Sequence, residues 1–132
     1  MIAEILLTAL ILTAQPAEEP IQKYEWTGPV LTAEMGCNLN GPTGVETWYN
    51  MPMDTFIQFL YDLGFEGYHY IREDGVHMWH DDTGDYVMVG AYLPKYPRGT
   101  VVQTSLGQGK VFDTGYFLYG EDQLDIATTW YI

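Results

Sequence analysis

Three histidines, one cysteine and a large surplus of carboxylates are the side chains in this sequence that could hold a metal, attack a substrate or move protons. His77 and His80 stand three residues apart, with Asp81, Asp82 and Asp85 close behind. On one strand, neighbours at odd spacing point to opposite faces, so a metal between the two histidines needs the chain to bend after Trp79. Zinc also wants a third, rigidly held ligand, and Asp81 to Asp85 lacks the length and bidentate Glu of an EF-hand loop. A solvated hairpin tip explains these residues more simply, and no metal site is expected. Cys37 is alone, so it can form neither an internal disulfide nor a Cys-rich zinc site. Burial as a small apolar thiol is its expected state. Ser105 has no Gly-x-Ser-x-Gly setting, and no Walker or dinucleotide-binding glycine pattern is present, so no cofactor is expected. Acid–base chemistry by carboxylates is what remains.

Charge narrows the partners. Eighteen Asp and Glu face five Lys and Arg, a formal net charge of -13. Phosphate contacts need clustered cations, so nucleic acid is not an expected partner. The acidity is read first as a solubilising surface, and second as a preference for neutral or cationic ligands. At 132 residues the chain suits one domain, and 47% hydrophobic content with abundant Tyr and Trp argues for a packed core. Aromatics together with many glycines suit a β-rich domain.

The N-terminal run Ile5 to Ala14 has the length of a signal-peptide core and is too short to span a bilayer. Ala14 and Ala17 are candidate cleavage points, although Glu4 stands where a signal usually carries positive charge. The expectation is a signal peptide over 1–17, with an N-terminal amphipathic or buried helix as the rival reading. Residues 18–28 then read as a linker, and 29–132 as the folded domain.

Those elements must position any site. Val30 to Met35 reads as a first strand, Asn38 to Gly44 as a loop, and Glu46 to Tyr49 as a short strand or a turn into a helix. Phe56, Phe59, Leu60 and Leu63 recur at helical spacing, with Pro52 before them and Gly64 after. This predicts an amphipathic helix over Met53 to Leu63 that packs one apolar face on a β-barrel. Asp74-Gly75 predicts a hairpin between His69–Ile71 and Val76–Trp79. Asp81 to Gly84 reads as the next turn, Tyr86 to Val89 as a strand, and Pro94 to Gly99 as a loop. Thr100 to Thr104 and Lys110 to Phe112 read as strands joined by a turn at Gly107-Gln108-Gly109, and Leu124 to Thr128 closes the set.

One stretch has a pattern. Tyr96-Pro97-Arg98-Gly99-Thr100-Val101-Val102 is followed by Gly109-Lys110-Val111-Phe112-Asp113-Thr114-Gly115 and then by Leu124-Asp125-Ile126. In order and spacing this resembles the 3D domain, named for its aspartates, over roughly residues 86 to 130. The segment from Gly41 to Asn50 resembles one that accompanies this domain in Firmicutes and phage-borne cell-wall proteins. The chain departs from the family pattern twice. Tyr92 stands near where the first aspartate falls, and Tyr116 follows Asp113-Thr114-Gly115 where a further Gly is usual.

The resemblance implies a mainly β fold with one amphipathic helix, built as a six-stranded double-psi β-barrel. It implies kinship with the catalytic region of membrane-bound lytic transglycosylase A, and hence a secreted or cell-wall-associated protein acting on peptidoglycan or a related glycan. By that resemblance Asp125 is the general acid and base that cleaves the glycan strand, and Asp113 lies beside it. A nearby carboxylate such as Asp113 disfavours a second negative charge, which suits an acid that must hold its proton. Thr114 and Gly115 let the turn approach closely, and Tyr92, Tyr116 and Trp130 offer rings to stack on sugars. Glu46, beside Trp48 and Tyr49, is a candidate for a groove wall, with a plain surface position as the alternative. Glu34, on the presumed first strand, stays in play. The competing reading is a non-catalytic barrel that binds glycan or serves as structure, with Asp113 and Asp125 only capping turns.

Overall fold

The computed structural model describes residues 25–115 and 118–131. The expected signal peptide and most of the expected linker lie outside the described residues. The fold is mainly β with one helix. Its elements are β1 (Cys37–Asn38), β2 (Glu46–Asn50), α1 (Asp54–Asp62), β3 (Tyr68–Ile71), β4 (His77–Asp81), β5 (Gly84–Ala91), β6 (Val101–Thr104), β7 (Gly107–Thr114) and β8 (Leu124–Thr128).

One sheet holds all eight strands. Its order runs β1-β2-β8-β5-β4-β3, with β7 on the other side of β5 and β6 beyond it. The expected six-stranded closed barrel is therefore corrected: eight strands form, and among the described residues their pairing does not close. β5 is the hub. One edge pairs with β4 through its first half and with β8 through its second, while the other edge pairs in parallel with β7. β2 and β8 form a second parallel pair. From Tyr86 to Ala91 every residue of β5 is buried, as a strand covered on both faces must be.

The two faces of the sheet carry separate cores. Leu31, Val76, Met78, Val87, Val89, Ala91, Val111, Leu124 and Ile126 pack on one. Met53, Leu60, Trp79, Met88, Phe112 and Ala127 pack on the other, under α1. The helix lies within its predicted range, and Gly64 follows it at φ 99°, a left-handed turn that glycine adopts without steric cost. The buried face differs from the expected one. Met53 and Leu60 are buried and Phe56 and Ile57 half-buried, whereas Phe59 and Leu63 are exposed. Phe59 instead lies under the Arg98 guanidinium, 5.3 Å from ring centre to charge.

Three further expectations are corrected. Val30 to Met35 is not a strand: Thr32 accepts from the Gly36 amide in a turn, and the buried Leu31 is tied by its amide to the Ser105 hydroxyl. The first strand is instead Cys37–Asn38, partly inside the expected loop. Gly107 to Gly109 is not a turn. It opens β7, and the Gly109 position is one where a Cβ would meet Val89 at 2.9 Å and Thr104 at 3.1 Å, so close strand packing demands the glycine. The Asp74-Gly75 hairpin forms as expected, with His69 opposite Trp79 and Ile71 opposite His77.

Candidate active site

The two aspartates meet across β5. Gly90 pairs with Asp125 of β8 on one side and with Asp113 of β7 on the other. The row continues outward from Asp125 to Thr47 of β2 and then to Cys37 of β1. Five strands thus bring Cys37, Thr47, Asp125, Gly90 and Asp113 into one line. Strands lie about 4.8 Å apart, which sets the Asp113 and Asp125 backbones about 10 Å from each other.

A β-bulge puts both carboxylates on the same face. The β5–β7 register shifts between Val89 and Gly90, so that Val89 faces Val111 while Gly90 faces Asp113. Simple alternation from Val111, which is buried in the first core, would aim Asp113 back into that core. The extra residue, Phe112, absorbs one step, and Asp113 comes out on the face of Phe112, Tyr49 and Asp125. Asp125 reaches that face by plain alternation, since Leu124 and Ile126 on either side are buried in the first core.

Neighbouring side chains hold the pair. The Thr47 hydroxyl donates to Asp125 Oδ1, and Gln123 Nε2 donates to the same oxygen at 3.3 Å and to Thr47 Oγ1 at 3.1 Å. Gln123 is itself 3% exposed, and its Oε1 accepts from the Tyr119 amide at 3.0 Å. On the other side the Tyr49 hydroxyl donates to Asp113 Oδ2 at 3.2 Å, and the Thr114 amide donates to Oδ1 at 2.8 Å. Burial, followed by the negative charges of Asp113 and Asp125, holds the Tyr49 phenol far above its ordinary pKa. Tyr49 is thus a neutral donor to Asp113, within electrostatic reach of Asp125.

The row opens onto a cavity of about 480 Å³ lined by Gly36, Cys37, Thr47, Trp48, Tyr49, Leu118, Tyr119, Gln123 and Asp125. That volume falls in the usual range for small-ligand sites, about 300 to 1,000 Å³. Leu118 and Tyr119 stand exposed at its edge. Asp125 borders it directly, and Asp113 is reached through Tyr49.

The other residues singled out in the sequence fall in varied places. Thr114 is exposed at the end of β7. Gly115 donates its amide to the Ala91 carbonyl, and a Cβ there would meet the Gly90 backbone at 3.2 Å, so the chain passes close against β5 at this point. Tyr92 follows β5 and accepts at its carbonyl from the Lys95 and Tyr96 amides. Trp130 packs edge-on against Trp48 at 5.6 Å and donates its indole N–H to the Asp74 carbonyl, which places its ring on the β3–β4 turn and not at the cavity wall. Tyr116 lies outside the described residues. Glu34 is exposed in the turn before β1.

Glu46 is corrected outright. It is neither at a groove wall nor on the surface but 0% exposed, with Oε1 accepting from the Ser105 hydroxyl at 2.6 Å and Oε2 from the Ser105 amide at 2.7 Å. Thr47, Tyr49 and Gln123 are the site residues that sequence reasoning missed. Thr47 and Tyr49 share one face of a strand by their spacing of two, as do Gln123 and Asp125, and that periodicity is the signal that points to them.

His77 and His80 separate as the odd spacing predicts. The His77 ring meets His69, and the His80 ring meets Asp85 and Tyr68. Among the described residues no helix is long and apolar enough to cross a membrane. No family model matches the chain, and neither a curated protein nor a solved structure matches it.

Proposed function

We propose that the chain cleaves the glycan strands of peptidoglycan, as a lytic transglycosylase with Asp125 as its proton carrier. The observation that carries this reading is the placement of Asp113 and Asp125 in one row, on one face, with Asp125 on the wall of an open cavity. The two parallel pairs, β2–β8 and β5–β7, support the related proposal that the sheet is an opened variant of the double-psi architecture.

In this mechanism the Asp125 carboxyl gives its proton to the glycosidic oxygen between muramic acid and glucosamine as the C1–O bond breaks. The carboxylate so formed takes the proton of a hydroxyl on the same muramic acid as that oxygen bonds to C1. An anhydro ring closes, and no water is consumed. Thr47 and Gln123 position Asp125. Asp113, held by Tyr49, supplies a negative charge that favours the positive charge developing at the sugar. The site of action is outside the cell, as a secreted or cell-wall-associated protein of bacterial or phage origin.

The test is digestion of purified peptidoglycan with product analysis by mass spectrometry. Anhydro-muropeptides released by the native chain and lost in Asp125→Ala support the proposal. No release, or equal release by the variant, sinks it. A second reading, a glycan-binding module without catalysis, is favoured by one observation: both carboxylates already accept hydrogen bonds from their neighbours, as capping residues do. Retention of the chain on peptidoglycan without any cleavage selects that reading.

A further inference from the structure

His69 and His77 lie diagonally across the β3–β4 hairpin, where the register sets His69 opposite Trp79 and Ile71 opposite His77. His69 Nε2 is 2.7 Å from His77 Nδ1, and the two rings overlap with centroids 4.9 Å apart. His77 is 3% exposed and His69 is half-buried. The contact stands beside a second cavity, of about 380 Å³, and takes no part in the aspartate row.

The contact has room for few protons. The Met51 carbonyl favours a proton on His77, which leaves His77 Nδ1 to accept from the Nε2–H of His69. One further proton fits on His69 Nδ1 and leaves this bond in place. A second has to enter at His77 Nδ1, which sets two cationic rings and two N–H donors against each other at 2.7 Å. Little around the pair offsets that charge. Asp54, at the start of α1, is the one carboxylate on the cavity wall, Tyr131, after β8, is the one phenol there, and no Lys or Arg lines it among the described residues. Burial lowers the pKa of His69 against the pull of Asp54, and burial followed by His69 lowers that of His77 against the Met51 carbonyl. Both rings thus take up protons less readily when closed than when hydrated. The stabilisation this gives is complete above the ordinary histidine value, about 6.5, and is lost as pH falls through the lowered ones.

The strand that can yield is β3. It is an edge strand of four residues whose strand partner among the described residues is β4, while β4 is also held by β5. Val76, beside His77, is bridged to Thr128 as well. We propose that the His69–His77 contact is an acid-sensitive clasp on the sheet edge, closed while the pair carries at most one extra proton and released, with β3 leaving β4, when both rings are charged. Release bares the edge of β4 and opens the cavity. The device does not depend on the glycan-cleaving reading.

The test is residue-resolved amide hydrogen exchange on the full chain, corrected for the intrinsic pH dependence of exchange. Each proton taken up on opening raises the open fraction about tenfold per pH unit, so two give up to about a hundredfold. The β3 amides are expected to lose protection by between these factors per unit below about pH 6, while the β5 amides at the hub remain protected. His69→Gln still offers an N–H to His77 but takes up no proton, and should reduce the dependence to about tenfold per unit or less. Ring titration of the native chain by NMR is the second reading: both rings should titrate below the ordinary histidine value, in step with exposure of β3. Loss of β3 and β5 protection at the same pH overturns the proposal. So does an unaltered acid dependence in the folded His69→Gln chain, or charging of both rings while β3 stays protected. Should His69→Gln not fold, the titration and exchange of the native chain decide.

Discussion

Glu46 and Asp125 lie one register step apart on neighbouring strands and have opposite fates. Glu46 of β2 pairs with Leu124, and the next residue, Thr47, pairs with Asp125. One step along a strand turns a side chain to the other face. Glu46 turns inward, where no surface is left to it and the hydroxyl and amide of Ser105 take both of its oxygens. Asp125 turns outward to a cavity, held by Thr47 and Gln123 but bordering open space. The comparison teaches that a carboxylate's chemistry is decided by the face it occupies. Glu46 latches β2 to the β6–β7 hairpin. Asp125 has room for a substrate.

The sharpest way to break this contrast is to remove each acid in turn. Asp125→Asn is expected to lower glycan cleavage by about 10²–10⁴-fold, the usual contribution of a positioned general acid or base. Its urea midpoint should stay close to that of the native chain. A large loss of stability with this variant would make Asp125 a structural residue like Glu46. Glu46→Ala should do the reverse. It strands the Ser105 donors in the core and is expected to cost about 3 kcal/mol in chemical denaturation. Cleavage per folded molecule should be unchanged.

A smaller effect separates the two aspartates. Tyr49→Phe removes the phenol that donates to Asp113 while its ring keeps packing, and is expected to cost about 1 kcal/mol, or roughly fivefold in turnover. Steady-state rates at saturating substrate check this, and an unchanged rate would detach Asp113 from the reaction.

The smallest effect is a pH slope. Burial raises the Glu46 carboxyl above its ordinary value, against the opposing bonds from Ser105 and Asn38. The folded chain therefore holds this proton more tightly than the unfolded chain does. The resulting stabilisation is fully present below the unfolded value and is lost as pH rises through the raised one. Asp81 works with the opposite sign. Burial resists its charge, but the Lys110 ammonium and Thr83 outweigh burial and hold it at about 2, so its contribution is lost only as acid is added. The difference between Glu46→Gln and the native chain isolates the first term. Unfolding free energies from about pH 4 to about pH 8 should show the native chain losing ground to the variant as pH rises. Parallel curves would mean that Glu46 is not protonated more readily in the fold.

Much of this was legible in the residues. The helix from its apolar spacing, the hairpin from Asp74-Gly75 and the strand around Val87 all follow from local patterns. Asp125 was legible too, because Leu124 and Ile126 flank it. Asp113 was singled out by a resemblance and not by its alternation, since counting from Val111 sends it inward. Only the bulge at Gly90 turns it out, and a bulge is a property of the pairing and not of either strand alone. The row from Cys37 to Asp113 was hidden for the same reason: register between distant strands is not written in either sequence. Glu46 was misplaced because its partner, Ser105, is a hairpin residue far along the chain. Val30 to Met35 has strand-like composition, yet it spends its hydrogen bonds in a turn.

The open sheet has a consequence for how the molecule behaves in concentrated solution. Among the described residues β3 is an edge, and Tyr68 and Ile71 on it are 54% and 53% exposed. Unpaired edges of this kind invite strands of other molecules to add on. With a sequence pI near 4.2, the chain meets its copies at neutral pH as one polyanion meets another. Salt shortens that repulsion to about 8 Å at physiological ionic strength, and acidification toward the pI abolishes it. Edge-to-edge aggregation should therefore set in on acidification, before the fold itself gives way.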